Sequence, residues 1–392
     1  MKSLYRLTLY AGLAALPVSA FAKSLEVTVS NPLALARSSE TIEISAKDLE
    51  SLGAKNLNTI HVKDSEGKEV LCQAIDLDGD PLRTFDAVIF QADFAANEKK
   101  TFTLSVGEKQ VYKLDQYKAF GRFNRERFDD FAWENDRIAH RTYGKTLETW
   151  EGEPLTSSTV DIWSKRTPRM VINDWYLADD YHVDYGDGAD FYSAGLSRGC
   201  GGSGIWANDQ LWVSRNFVNS KVLANGPIRV LFELEYEPYS VNGVSIAEKK
   251  RISLDAGQQL SRVEIQYKPY VLPAKATPIV AAAGLKKVKN EELAVNAEQG
   301  WIAKWERTEK KDSGYQGLAI VARPADFEKH QEDTLNHLVL LKTDSRNTTT
   351  YWSGFAWDKA GLITDLDAWK TYLDAFSQSL AAPLEVQISA SK

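Results

Sequence analysis

The 392-residue sequence is 43% hydrophobic, 26% charged and 11% aromatic, a globular composition that excludes collagen-like, low-complexity and multi-span membrane architectures. Lys and Arg total 47 against 54 Asp and Glu, a net charge of −7, so nucleic acid is not an expected partner. The nine basic residues between 122 and 169 are matched by nine acidic ones, and no basic patch results.

Residues 1–22 have the order of a secretory signal: Lys2 and Arg6, the mostly apolar run Leu7 to Val18, then Ala20-Phe21-Ala22 before Lys23. A membrane span takes about 18 or more apolar residues, and Pro17 and Ser19 interrupt this run. The sequence predicts a periplasmic protein, free of the membrane after cleavage, its charge moved from −7 to −9 by loss of Lys2 and Arg6. Cys72 and Cys200 are expected to be buried, unpaired thiols. Outside the cytoplasm nucleotide cofactors are scarce, so no cofactor is required, although a divalent ion could take part.

From Leu25 to Val106, short runs alternate apolar and polar residues, as in Leu25, Val27 and Val29 against Glu26 and Thr28. This predicts a small β-sandwich over 24–107. Asp76-Leu77-Asp78-Gly79-Asp80 starts like a calcium loop, but Ala87 stands where the bidentate acid belongs, so a plain acidic turn is expected. Residues 108–125 read as a connector. Long alternating runs such as Leu260 to Tyr267 then predict a large antiparallel β-domain over 126–392. One late helix is expected, where Leu366, Trp369, Leu373 and Phe376 recur at helical spacing, followed by a strand from Leu384 to Ser389.

Most residues suited to chemistry lie between 122 and 217. As a strand after Arg137, the segment puts His140 on one face with Ile138 and Thr142, and Arg141 on the other with Arg137, Ala139 and Tyr143. If 180–185 is extended, Asp180, His182 and Asp184 share a face opposite Tyr181 and Tyr185. A His beside a carboxylate can serve as a general base, and the same trio could ligate a divalent ion. His140 is the second His candidate, whereas His61 and His330 have no suggestive company. Ser197 to Trp206 is Gly-rich without a phosphate-binding motif, which fits tight turning, and Arg198 beside it could clamp a carboxylate. Trp133, Trp175, Trp352 and Trp357 are candidates to stack on sugar rings, with most of the Trp set expected in the core.

FDDFAWENDRIAHRTYG, VDIWSKRTPRMVINDWY, DYHVDYGDGADFY, SRGCGG, VLANGPIRVLFELEY and YWSGFAW resemble a bacterial family of exported proteins catalogued as domain of unknown function 4861. The resemblance looks nearly full-length. It implies a galactose-mutarotase-like β-supersandwich and an association with systems that degrade uronic-acid polysaccharides, hence a uronate-containing oligosaccharide as partner. It supplies no settled catalytic motif.

On this reading Arg137, Arg166 or Arg198 neutralises a uronate carboxylate. His182 or His140 removes the adjacent proton, and Tyr181 or Tyr185 protonates the departing oxygen. That chemistry makes a lyase or a dehydratase. An epimerase, a two-carboxylate hydrolase, a non-catalytic oligosaccharide-binding protein and a scaffold that meets a partner protein through its charged strands stay open beside it.

Overall fold

The computed structural model describes residues 23–82, 84–152, 154–270 and 278–390, so the expected signal segment lies outside the described residues. The fold is mainly β, with antiparallel pairing in every sheet. The N-terminal sandwich packs a five-stranded sheet on a three-stranded one. Alternation explains it: Leu25, Val27, Val29, Ile42, Ile44, Val62, Phe90 and Leu104 point between the sheets, and Phe90 meets Phe102 edge-on with ring centres 4.9 Å apart.

The final strand, Glu385–Ala390, does not join the larger domain as the 126–392 boundary supposed. It returns to pair with Ser24–Ser30, Leu25 lying opposite Ala390. The expected connector is also shorter than 108–125, because Ala119–Asn124 is a strand of the larger part.

That part is built on an eight-stranded sheet running in the spatial order 217–225, 229–241, 244–255, 260–269, 348–357, 315–322, 301–307, 292–296. Two five-stranded sheets cover one of its faces. One comprises Ala119–Asn124, Asp130–Asn135, Ala139–Thr142, Asp161–Lys165 and Gly188–Ala189, and the other centres on Cys200–Ala207, Val280–Lys286 and Asn336–Lys342. All three sheets contribute to one core, including Phe131, Ile162, Ile205, Phe232, Ile265, Ala283 and Phe355. The opposite face of the large sheet is covered by the late helix and by the N-terminal sandwich, whose Ile75 and Ile89 pack with Ala224, Ile228 and Leu231.

Two short helices, Ala46–Leu49 (α1) and Ile172–Ala178 (α2), were not anticipated, whereas the late helix, Leu366–Ala381 (α3), was. Asp365 caps α3 by accepting from Ala368 N at 2.8 Å, and the helix buries Trp369 and Leu373 on the sheet. Cys72 and Cys200 are both buried and unpaired, each donating from Sγ to a backbone carbonyl. The Gly-rich run 197–206 is close packing rather than a ligand loop. Gly199 and Gly201 take positive φ, and a Cβ on Gly199 would run into the Val160 carbonyl.

Candidate active site

The outward face of the sheet that starts with Ala119–Asn124 concentrates the charge. Asn135 Oδ1 accepts from the amides of Arg137 (2.8 Å) and Ile138 (2.9 Å), closing the turn between two of its strands. The register then sets Arg141 opposite Ala132 on one side and Asp161 on the other, with Ala139 opposite Glu134 and Trp163. Period-two alternation sends Asp130, Glu134, Arg141, Asp161, Trp163 and Lys165 to this face, and small Ala132 leaves room for the Arg141 guanidinium.

Helix α2 and the segment behind it roof this face, and a buried charge pair fixes the roof. Lys165 Nζ lies 2.7 Å from Glu134 Oε2, both side chains fully buried. Glu134 also accepts from the amides of Val171 and Ile172, each at 2.9 Å. Since α2 has no side-chain cap of its own, this carboxylate from the sheet supplies the acceptor its first amides lack. Asp179 ends the helix in the left-handed region at φ 54°. The chain then lays Trp175, Tyr176 and Tyr181 against Trp163, Tyr181 stacking on it at 5.1 Å.

Arg141 sits at the centre of the buried cluster. Its Nε is 2.8 Å from Asp161 Oδ2, its Nη2 is 3.1 Å from Asp190 Oδ2, and its Nη1 is 3.9 Å from Asp130 Oδ2. Tyr143 donates to the same Asp161 oxygen at 3.0 Å. The Tyr181 hydroxyl accepts from Arg141 Nη1 at 3.3 Å and from Arg127 Nε at 2.6 Å. Burial pushes the Asp130 carboxyl up to about 7 against the pull of Arg141 and Arg127. Burial, reinforced by Asp161, also drives Asp190 well above the usual carboxylate range. The cluster therefore holds a proton on a carboxyl group near neutral pH, a property concentrated at catalytic sites.

Arg127 lies over Phe128, Trp150 and Tyr181, with its guanidinium 4.9, 5.5 and 5.9 Å from the ring centres. Its two terminal nitrogens make no hydrogen bond or ion pair among the described residues. Phe128 and Asp129 both occupy the left-handed region, at φ 51° and 63°. Two consecutive non-glycine residues there are a strained bend, and the bend holds Arg127 and Phe128 beside the cluster. A Cβ on Gly144 would run into the Asp129 carbonyl, so the bend requires glycine at 144.

His182 stands at the rim, its side chain 63% exposed. Its Nδ1 is 3.3 Å from the Asp190 carbonyl oxygen and 3.7 Å from Asp190 Oδ2. A carbonyl can only accept, so Nδ1 carries the proton and Nε2 is left as the basic nitrogen.

The sequence expectations fare unequally. Tyr181 and His182 come together, with Trp175 in the aromatic layer beneath. Asp180, His182 and Asp184 do not converge, because 179–187 is a series of turns rather than a strand. Asp180 instead accepts from the exposed Tyr185 hydroxyl at 2.6 Å, and Asp184 is taken by Arg166 and by the amides of Gly186 and Gly188. Neither Tyr185 nor that metal trio forms part of the cluster. Arg166 also lies over Trp357 at 5.0 Å.

His140 is on the other face of the sheet, inside the core. It stacks on Trp133 at 5.1 Å, and burial lowers its pKa to about 4. Neither His140 nor Trp133 can reach a ligand held on the outward face. Arg198 is likewise interior, bonded to Ser157 Oγ (3.0 Å), Ser158 Oγ (3.2 Å) and the Ser203 carbonyl (3.3 Å), so it is a structural tie and not a substrate clamp. Arg137 and Trp352 line two neighbouring clefts of about 310 and 270 Å³ between the N-terminal sandwich, the large sheet and α3, apart from the cluster.

Sequence reasoning missed Arg127, Arg141, Asp130, Asp161 and Asp190 as site residues. The available signal was the alternation itself, which already separated Arg141 from His140. His330 was also misjudged, since Glu332 and His337 accompany it.

A protein in the glycosyl hydrolase family 38 from Enterococcus faecalis aligns with TM-score 0.52 and 11% identity over 94% of this chain and 47% of that one. An α-mannosidase from Enterococcus faecalis V583 aligns with TM-score 0.49 and 11% identity over 94% of this chain and 46% of its own. The chain thus spans about half the length of these solved structures, and the first likeness is one of fold. Uncharacterized protein P7 of Formosa agariphila is 34% identical over 378 residues, 92% of this chain and 93% of the relative. With residues 29–386 matching the family described as a domain of unknown function, DUF4861, the chain belongs to that family.

Proposed function

We propose that the protein is a periplasmic carbohydrate-active enzyme that cleaves uronate-containing oligosaccharides by β-elimination at the Tyr181 site. One observation carries the reading. A guanidinium whose terminal nitrogens are unpaired among the described residues (Arg127), a buried phenol (Tyr181) and an oriented imidazole (His182) converge over stacked aromatic rings. Arg127 pairs with the uronate carboxylate and offsets the charge that builds when the neighbouring C5–H is broken. His182 Nε2 takes that proton, the electron pair forms the C4–C5 double bond, and the C4–O bond breaks. The Tyr181 hydroxyl gives its proton to the leaving oxygen. The half-buried Phe128–Trp150 stack, ring centres 4.4 Å apart, offers apolar surface beside Arg127 for the C–H face of a sugar ring. The fold shared with a protein titled as a glycosyl hydrolase supports a sugar substrate.

Incubation with uronic oligosaccharides of pectin, alginate and ulvan type should raise absorbance at the ultraviolet edge, because elimination creates a conjugated enoate. Binding without any product would refute catalysis. Hydrolysis is a second reading, favoured by the upward-shifted Asp130 and Asp190 beside Asp161. It predicts new reducing ends with unchanged absorbance.

A further inference from the structure

We propose a divalent-cation site formed by His330, Glu332 and His337, at an edge of the fold away from the Tyr181 cluster. Phe327–Glu332 is the outer strand of its sheet and pairs with Asn336–Lys342. In this hairpin Glu332 lies directly opposite His337, and His330, two residues before Glu332, lies on the same face and diagonal to His337. The three side chains bring one ligand atom each to within 4.8 Å of one another.

The spacing suits an ion. Ligand atoms about 2.0–2.2 Å from a tetrahedral metal lie roughly 3.3–3.6 Å apart. His337 Nδ1 is 3.3 Å from Glu332 Oε1, and His330 Nε2 is 3.8 Å from the same oxygen. Two imidazoles and one carboxylate are the donor set of a borderline first-row ion such as zinc, with a further position left over.

The second observation is an orphaned buried nitrogen. The His337 side chain is 6% exposed, and its Nδ1 has no hydrogen-bond partner, nor has His330 Nε2. The other nitrogen of His337 explains which form the ring takes. Its Nε2 lies 2.7 Å from Glu291 Oε1, and Glu291 Oε2 is 2.8 Å from Lys304 Nζ. A carboxylate shared with a lysine can only accept, so Nε2 is the donor. Its Nδ1 faces Glu332 Oε1 at 3.3 Å without hydrogen-bond geometry, a spacing that a cation bridging the two atoms would fill. Carboxylate–imidazole–metal relays have this form. Lys287 Nζ lies 2.7 Å from Glu332 Oε2, and Glu332 Oε1 is the oxygen that faces the two imidazoles. The Asp76, Asp78 and Asp86 group offers no comparable case, since backbone amides already occupy an oxygen of each.

The test uses the untagged mature chain, stripped with a chelator and titrated with zinc chloride against a fluorescent zinc indicator. Thermal midpoints are recorded in parallel. One equivalent of zinc should bind with micromolar or tighter affinity and raise the midpoint, and cobalt should give the intense visible bands of a four-coordinate site. His330→Ala and Glu332→Gln, both on the edge strand, should weaken binding by about 100-fold or more. Glu291→Gln, acting through His337, should weaken it by about 10- to 100-fold. Asp78→Asn in the acidic turn should leave it unchanged. Folded wild type that binds zinc no better than millimolar would overturn the proposal, as would His330→Ala and Glu332→Gln variants with wild-type affinity.

Discussion

Replacing Asp130 with Asn should make the protein more stable at neutral pH and leave it unchanged in acid. The Asp130 carboxyl titrates at about 7 in the folded protein against an ordinary value of 3.8, so between those limits the folded state holds a proton that the unfolded chain releases. Unfolding free energy therefore falls as pH rises through this window. At about 1.4 kcal/mol per unit, the interval amounts to about 4 kcal/mol. Asn resembles the protonated acid, keeps an oxygen to accept from the Gly144 amide, and does not titrate. The variant should match wild type near pH 4 and exceed it by an amount that grows to about 4 kcal/mol by pH 7–8. His140 works in the opposite sense, because its folded value of about 4 lies below the usual 6.5 and removes about 3 kcal/mol as pH falls through that range. That contribution is common to both proteins and cancels in the difference. Urea midpoints at half-unit steps from pH 4 to 8, with unchanged m-values, measure the difference directly. A difference independent of pH, or a wild type more stable at pH 7, would refute the assignment of a protonated buried carboxyl.

His182→Ala should lower turnover on uronic oligosaccharides by about 10² or more while leaving the thermal midpoint in place, because the ring is largely exposed. Tyr181→Phe keeps the stack on Trp163 but removes the acceptor shared by Arg127 and Arg141, so activity should fall by about 10² or more with the near-ultraviolet dichroism preserved. Gly144→Ala should disturb the Phe128–Asp129 bend and reduce both stability and substrate affinity, which denaturant titration and calorimetric binding would register together. Trp369→Ala should cost about 3–5 kcal/mol in denaturant unfolding, since the α3 indole is completely buried.

The strands were legible wherever one face is wet and the other dry, as at Leu25, Val27 and Val29, because burial of alternate side chains leaves a period that local sequence records. The same signal separated His140 from Arg141 correctly. It misled at 180–185, where the residues also alternate. Tyr181 is buried there by stacking on Trp163, a residue of a strand, while positive φ at Asp179 and Gly186 turns the chain between them out of any sheet. The Arg141 cluster draws on Asp130, Asp161 and Asp190, which come together only through strand register and the roof set by Glu134. Register is a long-range property that composition does not encode. The His330 and Glu332 pair was visible as an i, i+2 spacing, but His337 joins them only once the hairpin pairing is known.

The pairing of Glu385–Ala390 with Ser24–Ser30 bears on how the chain reaches its native state. During synthesis the first strand emerges long before its outer neighbour, so one edge of the N-terminal sheet stays unpaired while nearly everything else forms. An open, apolar-faced edge is a template for pairing with other chains, and its closure must wait for the slowest, most distant contact in the molecule. Removal of the last strand would leave most of the residues around the Tyr181 cluster intact and yet create a species prone to associate edge to edge. Folding yield, more than catalysis, is where such a truncation would be felt.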